Sequence, residues 1–216
     1  MDIVESLKNL FKERLQSVCL HNLGISASIS HNGILLVLNR VSLDDIKLLK
    51  QHLKKFKKLY ISPLLFEVDF LEQNKDYFCM EILELKENIK VLYGKNPVQN
   101  IDIESQALRN QIKREIASKI LAVRSSFLEL TLERKTVEDI AYRSLYNFYL
   151  ISKYILYLLN IKQSQNVFED VEKHFLINLE NTKKLFFMPK RPTFDKLLPL
   201  FENYLKELEN FLKIKI

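Results

Sequence analysis

The residues of this 216-residue chain with the widest chemical reach are four histidines, two cysteines, a run of lysines and a few scattered carboxylates and arginines. His21, His31, His52 and His174 could act as bases or metal ligands, but no two of them stand at metal-ligand spacing. His31, followed by Asn32 and Gly33, reads as a turn histidine in water. Cys19 and Cys79 make neither a Cys-x-x-Cys pair nor a disulfide framework, which leaves reduced thiols in an intracellular setting. No Ser, Thr or Cys has the surroundings of an activated nucleophile. Lys47, Lys50, Lys54, Lys55, Lys57 and Lys58 could contact phosphates. The same run fits better as the solvated face of a helix whose Leu49 and Leu53 pack inward.

Elements must position these groups, and the hydrophobic pattern supplies them. Residues 3–19 space Ile3, Leu7, Phe11, Leu15 and Val18 as one amphipathic helix. Alternation over residues 24–30 predicts a short strand, and residues 34–38 form an apolar run of the kind buried on both faces of a sheet. Ser42 with Asp45 resembles a capping box, opening a helix over residues 43–56 that carries the chain across to a parallel strand. Residues 59–68 read as a further strand, which Pro63 confines to an edge or bulge. A helical turn at residues 70–73 leads to residues 76–94, read as two strands joined by a turn at Glu87 and Asn88. Beyond residue 98 only helical periodicity appears. Helices are expected over residues 105–130, 136–160 and 167–179, and from Pro192 and Thr193 to the C-terminus. The fold class is therefore α+β, with a small mixed-sheet domain over residues 1–97 and a helical bundle over residues 98–216.

In order, Asp76, Phe78, Glu81, Glu84, Leu85, Leu92, Tyr93 and Gly94 resemble a motif of the nucleotidyltransferase-like proteins related to the aminoglycoside nucleotidyltransferases, with Cys79 where that family usually has Pro. Leu108, Arg109, Gln111, Arg114, Glu115, Ile116, Lys119 and Arg124 are similar to the family's pattern on a long helix. The likeness covers about residues 34–160 and implies a mixed sheet, with residues 78–85 as a central strand, followed by helices. An all-helical structure, or a sheet without that strand, would overturn this reading and the kinship with it. The family's chemistry needs two carboxylates one residue apart on a strand, so that both reach one Mg²⁺ against the nucleotide phosphates. By the resemblance, Ser30, His31 and Gly33 occupy that motif. His31 stands for the first carboxylate and Gly33 for the second, and no Gly-Ser turn precedes them. An imidazole is a poor ligand for hard Mg²⁺, and glycine offers none. Glu81 or Glu84 could be a surviving third carboxylate. Aspartates at positions 31 and 33 would be expected to restore metal affinity.

A hydrophobic fraction of 47% with 28% charged residues is that of a globular chain. Only three glycines leave little material for a glycine-rich phosphate cradle. The N-terminus is charged from Asp2 onward, and the longest apolar run is broken by Asn147, Ser152 and Lys153. Neither a signal peptide nor a membrane span is expected, and the cytoplasm is the expected location. The net charge of +6 is spread among 27 acidic and 33 basic residues, which disfavours nucleic acid as a partner. Tyr142, Tyr146, Phe148, Tyr149, Tyr154 and Tyr157 crowd one helix, which fits core packing or self-association better than a ligand cleft.

Two functions follow. The first is a catalytically inactive nucleotidyltransferase-fold module that binds a protein partner or a second copy, with no cofactor and no nucleotide. The alternative is an active metal-dependent nucleotidyltransferase with a rearranged site, using Mg²⁺. Arg109, Lys119 and Arg124 are the candidate binding residues. Arg109 lies in the same helical arc as Ile112, Ile116 and Ile120. It either pairs with Asp76, Glu81 or Glu84, or lays its stem on apolar surface with the guanidinium in water.

Overall fold

A computed structural model describes residues 2–22, 32–56, 62–128, 134–188 and 193–214. The chain divides into two compact units, Met1–Ile103 and Glu104–Ile216. It is an α+β protein, with a four-stranded mixed sheet in the first unit and helices in the second. The expected strand at residues 24–30 lies outside the described residues.

The first unit opens with α1 (Ile3–Phe11), capped by Asp2, whose carboxylate accepts the Val4 N–H. The single helix expected over residues 3–19 does not form. Lys12 takes a φ of 50°, a tight turn spans Lys12–Arg14, and Leu15–Asn22 is strand β1. Leu15 and Val18 continue the helical spacing of Leu7 and Phe11, so periodicity carries no sign of the change. What decides it is pairing on both sides. Strands β2 (Asn32–Leu38) and β4 (Ile89–Gly94) each run antiparallel to β1 and satisfy its backbone.

Helix α2 (Leu43–Leu53) carries the chain from β2 to β3 (Ser62–Glu67), which lies parallel to β2, so the sheet order is β3-β2-β1-β4. The capping box is present. Asp45 accepts from both N–H and Oγ of Ser42, while Ser42 Oγ accepts the Asp45 N–H. The Arg14 guanidinium donates two further bonds to Asp45, of 2.9 and 2.7 Å, and ties the start of β1 to α2. Pro63 sits on an edge strand, where a missing N–H breaks no ladder. The short helix α3 (Phe70–Gln73) follows.

Residues 78–85 are not a strand. Phe78 precedes α4 (Cys79–Asn88) and residues 79–85 belong to it, and the turn expected at Glu87 and Asn88 is the end of that helix. Phe78, Met80 and Ile82 alternate like a strand, but Cys79, Ile82 and Leu85 also recur at helical spacing, and all three are buried. Glu81, Glu84, Lys86 and Glu87 favour the helix. The face of the sheet carrying Cys19, Leu35 and Val37 needs an apolar cover, and Ile82 and Leu85 of α4 supply it together with Leu71 of α3, Val98 and Ile101. On the other face α1 and α2 pack Ile3, Leu7, Phe11 and Leu49 on Val18, Ile34, Leu36 and Leu38. Strand β2 is thus buried on both faces, as its apolar run predicts. Gly94 ends β4 at a φ of +77°, where a Cβ would strike the Gln16 carbonyl.

The second unit contains α5 (Ser105–Leu128), α6 (Arg134–Leu158), α7 (Val167–Phe175), α8 (Glu180–Phe186) and α9 (Phe194–Leu212). The expected helix over residues 167–179 is shorter, because Leu176 takes a left-handed conformation at its end and the chain restarts as α8. Helix α8 receives an unusual cap from α9. The Glu207 carboxylate accepts the N–H groups of Asn181 and Thr182 as well as Asn181 Nδ2 and Thr182 Oγ1, at 2.6 to 2.9 Å. The aromatic residues of α6 are largely core. Phe148 packs edge-on against Phe211 at 4.7 Å, and Tyr149 stacks on Phe186 at 5.2 Å. Tyr154 is buried, Tyr142, Tyr146 and Tyr149 are half-buried, and Tyr157 is exposed.

Candidate functional site

The position that the resemblance assigns to metal chemistry is the end of the sheet where β1 finishes and β2 begins, on the two central strands. Ser30 and His31 lie outside the described residues. Gly33 is described, and its strand partner across the β1–β2 ladder is His21. Side chains alternate along a strand, so Gly33 shares a face with Leu35 and Val37, and His21 shares it with Cys19. That face lies under α4. His21 is only 1% exposed, and on its other side it pairs with Ile89 of β4. A Cβ built on Gly33 would overlap the imidazole atoms Cε1 and Nε2. The ring of His21 therefore fills the space that a side chain at position 33 would need.

The expectation that aspartates at positions 31 and 33 together restore metal affinity meets an obstacle at position 33, while position 31 lies outside the described residues. A carboxylate at position 33 would have to displace a buried ring. Position 33 offers no oxygen ligand and its side-chain volume is taken, so the residues described at this end of the sheet do not fit a magnesium pair. Sequence reasoning treated His21 as isolated. The available signal was Gly33 itself, since a glycine inside an apolar strand marks a close approach of another group.

Helix α4 separates the two acidic candidates. Glu81 is exposed, whereas Glu84 is buried at 4%, with Oε1 accepting from Asn88 Nδ2 at 2.7 Å. Elsewhere in the unit, a cavity of about 240 Å³ lies at the opposite ends of β2 and β3, lined in part by Glu67, Asp69, Glu72, Asn96 and Asn100. Two of its carboxylates are engaged already. Glu67 accepts the Val41 N–H, and Glu72 pairs with Lys75. Cys19 and Cys79 are both buried free thiols, and burial pushes the Cys19 thiol up to about 11, which keeps it protonated and unreactive.

The three basic candidates all lie on α5. Lys119 stands 3.8 Å from Glu115, one turn away. Arg124 donates from Nε and Nη2 to Glu209 Oε1 of α9, at 3.1 and 2.8 Å, in a largely exposed pair of the kind that contributes little. Arg109 is half-buried beside the buried row Leu108, Ile112, Ile116 and Ile120. Its suggested partners Asp76, Glu81 and Glu84 belong to the other unit, and that pairing stands as a proposal. No helix among the described residues is long and apolar enough to cross a membrane.

Compared with protein-family models and with curated proteins, the sequence matches none.

Proposed function

We propose that this chain is a non-catalytic module that works by binding a partner. The observation that carries the reading is the His21 ring lodged in the side-chain space of position 33. A site for phosphoryl or nucleotidyl transfer must gather negative oxygen ligands around a cation, and this end of the sheet holds a buried imidazole against a glycine instead. Kinship with the nucleotidyltransferase fold is a separate reading, and the proposal does not rest on it. It draws support from a mixed sheet followed by helices and from the apolar strand after position 33. It fails on the central strand it required, because Cys79–Asn88 form a helix and lie outside the sheet.

The test is a calorimetric titration of the full chain with ATP in the presence of Mg²⁺ or Mn²⁺. The expected result is no metal-dependent heat of binding. Saturable, metal-dependent nucleotide binding would overturn the reading and favour a rearranged catalytic site, in which the buried Glu84 would be the first carboxylate to substitute.

A further inference from the structure

Helix α2 and the edge strand β3 enclose an open groove of about 400 Å³ within the first unit. Its floor is apolar, made by Leu49, Leu53, Pro63 and Leu65, and Ile46 lines it while remaining 50% exposed. The volume lies within the range of roughly 300 to 1,000 Å³ typical of ligand clefts. At about 100° per residue, Leu43, Ile46, Leu49 and Leu53 fall in one arc of α2, and Lys47, Lys50 and Lys54 run along one flank of that arc. Leu43, at the end of the row, is 67% exposed. Lys47 is engaged by Asp44 at 3.1 Å. Lys50 and Lys54 border the groove and have no acidic partner among the described residues.

An apolar trough with a cationic rim is complementary to one kind of ligand. We propose that this groove docks the apolar face of an amphipathic helix whose flanking residues are aspartate and glutamate. Such a partner would bury Ile46 and Leu43 and place its carboxylates against Lys50 and Lys54. An added β-strand is less well served, because Pro63 removes an N–H donor from the edge of β3. Nucleic acid would meet the lysines, yet among the described residues the groove lining holds no aromatic ring on which a base could stack. The groove uses neither His21 nor Gly33, so its test and the nucleotide titration succeed or fail separately.

The experiment is a fluorescence-anisotropy titration of the full chain with a labelled synthetic peptide helix carrying leucines at i, i+3 and i+7 flanked by glutamates. The same peptide with lysines in place of the glutamates and a labelled single-stranded oligonucleotide serve as rival probes. The acidic peptide should bind saturably and more tightly than either rival. Ile46→Asp should weaken it about tenfold or more. Lys50→Glu combined with Lys54→Glu should do the same and shift the preference to the lysine peptide. Should Ile46→Asp disturb the circular dichroism spectrum, Leu43→Asp makes the same test at a more exposed position of the row. Absence of saturable binding, or peptide binding that neither apolar substitution weakens, would overturn the proposal. So would an oligonucleotide that binds more tightly than the peptide and depends on the lysines alone, which would mark a nucleic-acid surface.

Discussion

The sheet end at His21 and Gly33 and the groove between α2 and β3 belong to the same unit, yet one is filled and the other is open. At the first, a buried imidazole sits against a glycine and leaves no room for a side chain at position 33. At the second, apolar side chains stand in water under a lysine rim. A substitution at a filled position should register as lost stability, because neighbours cannot move without breaking the packing around them. A substitution in an open groove should register as lost binding, because no described residue covers it.

The largest effect is expected from Gly33→Asp, which forces a carboxylate into the His21 ring. It should destabilise the chain by about 3 kcal/mol or more in chemical denaturation, or prevent folding. Combining it with His21→Ala should recover about 1 kcal/mol or more relative to the sum of the single changes. A near-neutral Gly33→Asp would show that this end of the sheet is not filled, and the comparison would collapse.

Asp45→Asn comes next, at about 2 kcal/mol, since it weakens both the capping box and the two bonds from Arg14. The same region sets the response to acid. The Arg14 guanidinium, followed by Ser42, holds the Asp45 carboxyl well below its ordinary 3.8. Burial, with Lys55 adding to it, lowers His52 from its ordinary 6.5, and His52 Nε2 shares a 2.7 Å hydrogen bond with Ser6 Oγ that links α2 to α1. In both cases the unfolded chain takes up the proton first, so each contribution is present above the ordinary value and drains away as pH falls. Denaturation midpoints should therefore fall first below pH 6.5, from His52, and again below pH 3.8, from Asp45. In Asp45→Asn the second decline should shrink while the first persists.

Arg109→Met extends the comparison to the second unit. With the side chain half-buried, the expected loss is less than about 1 kcal/mol, as for a stem lying on apolar surface. A loss of roughly 3 to 5 kcal/mol would instead reveal a buried ion pair. Ile46→Asp should have the smallest effect on stability, within about 0.5 kcal/mol, because the side chain is half-exposed at the groove. If it destabilised as strongly as Gly33→Asp, the groove would be core and not a docking surface.

Much of the architecture was legible in the chain. The continuous run at residues 34–38, the Ser42 and Asp45 pair, and Pro63 together specify a buried strand, a capped crossover helix and an edge strand, because each signal is local and has one cheap structural answer. The short helix at residues 70–73 and the start of α9 after Thr193 were legible for the same reason. Two segments were not. Residues 15–22 carry spacing that suits a helix and become a strand, because two neighbouring strands offer that backbone its hydrogen bonds. Residues 79–85 carry both periods at once, and the need to cover Cys19, Leu35 and Val37 chose the helix. The fate of position 33 belongs to the same class. Its glycine announced a close approach, but only the pairing of β1 with β2, across a separation that no local pattern encodes, put His21 against it.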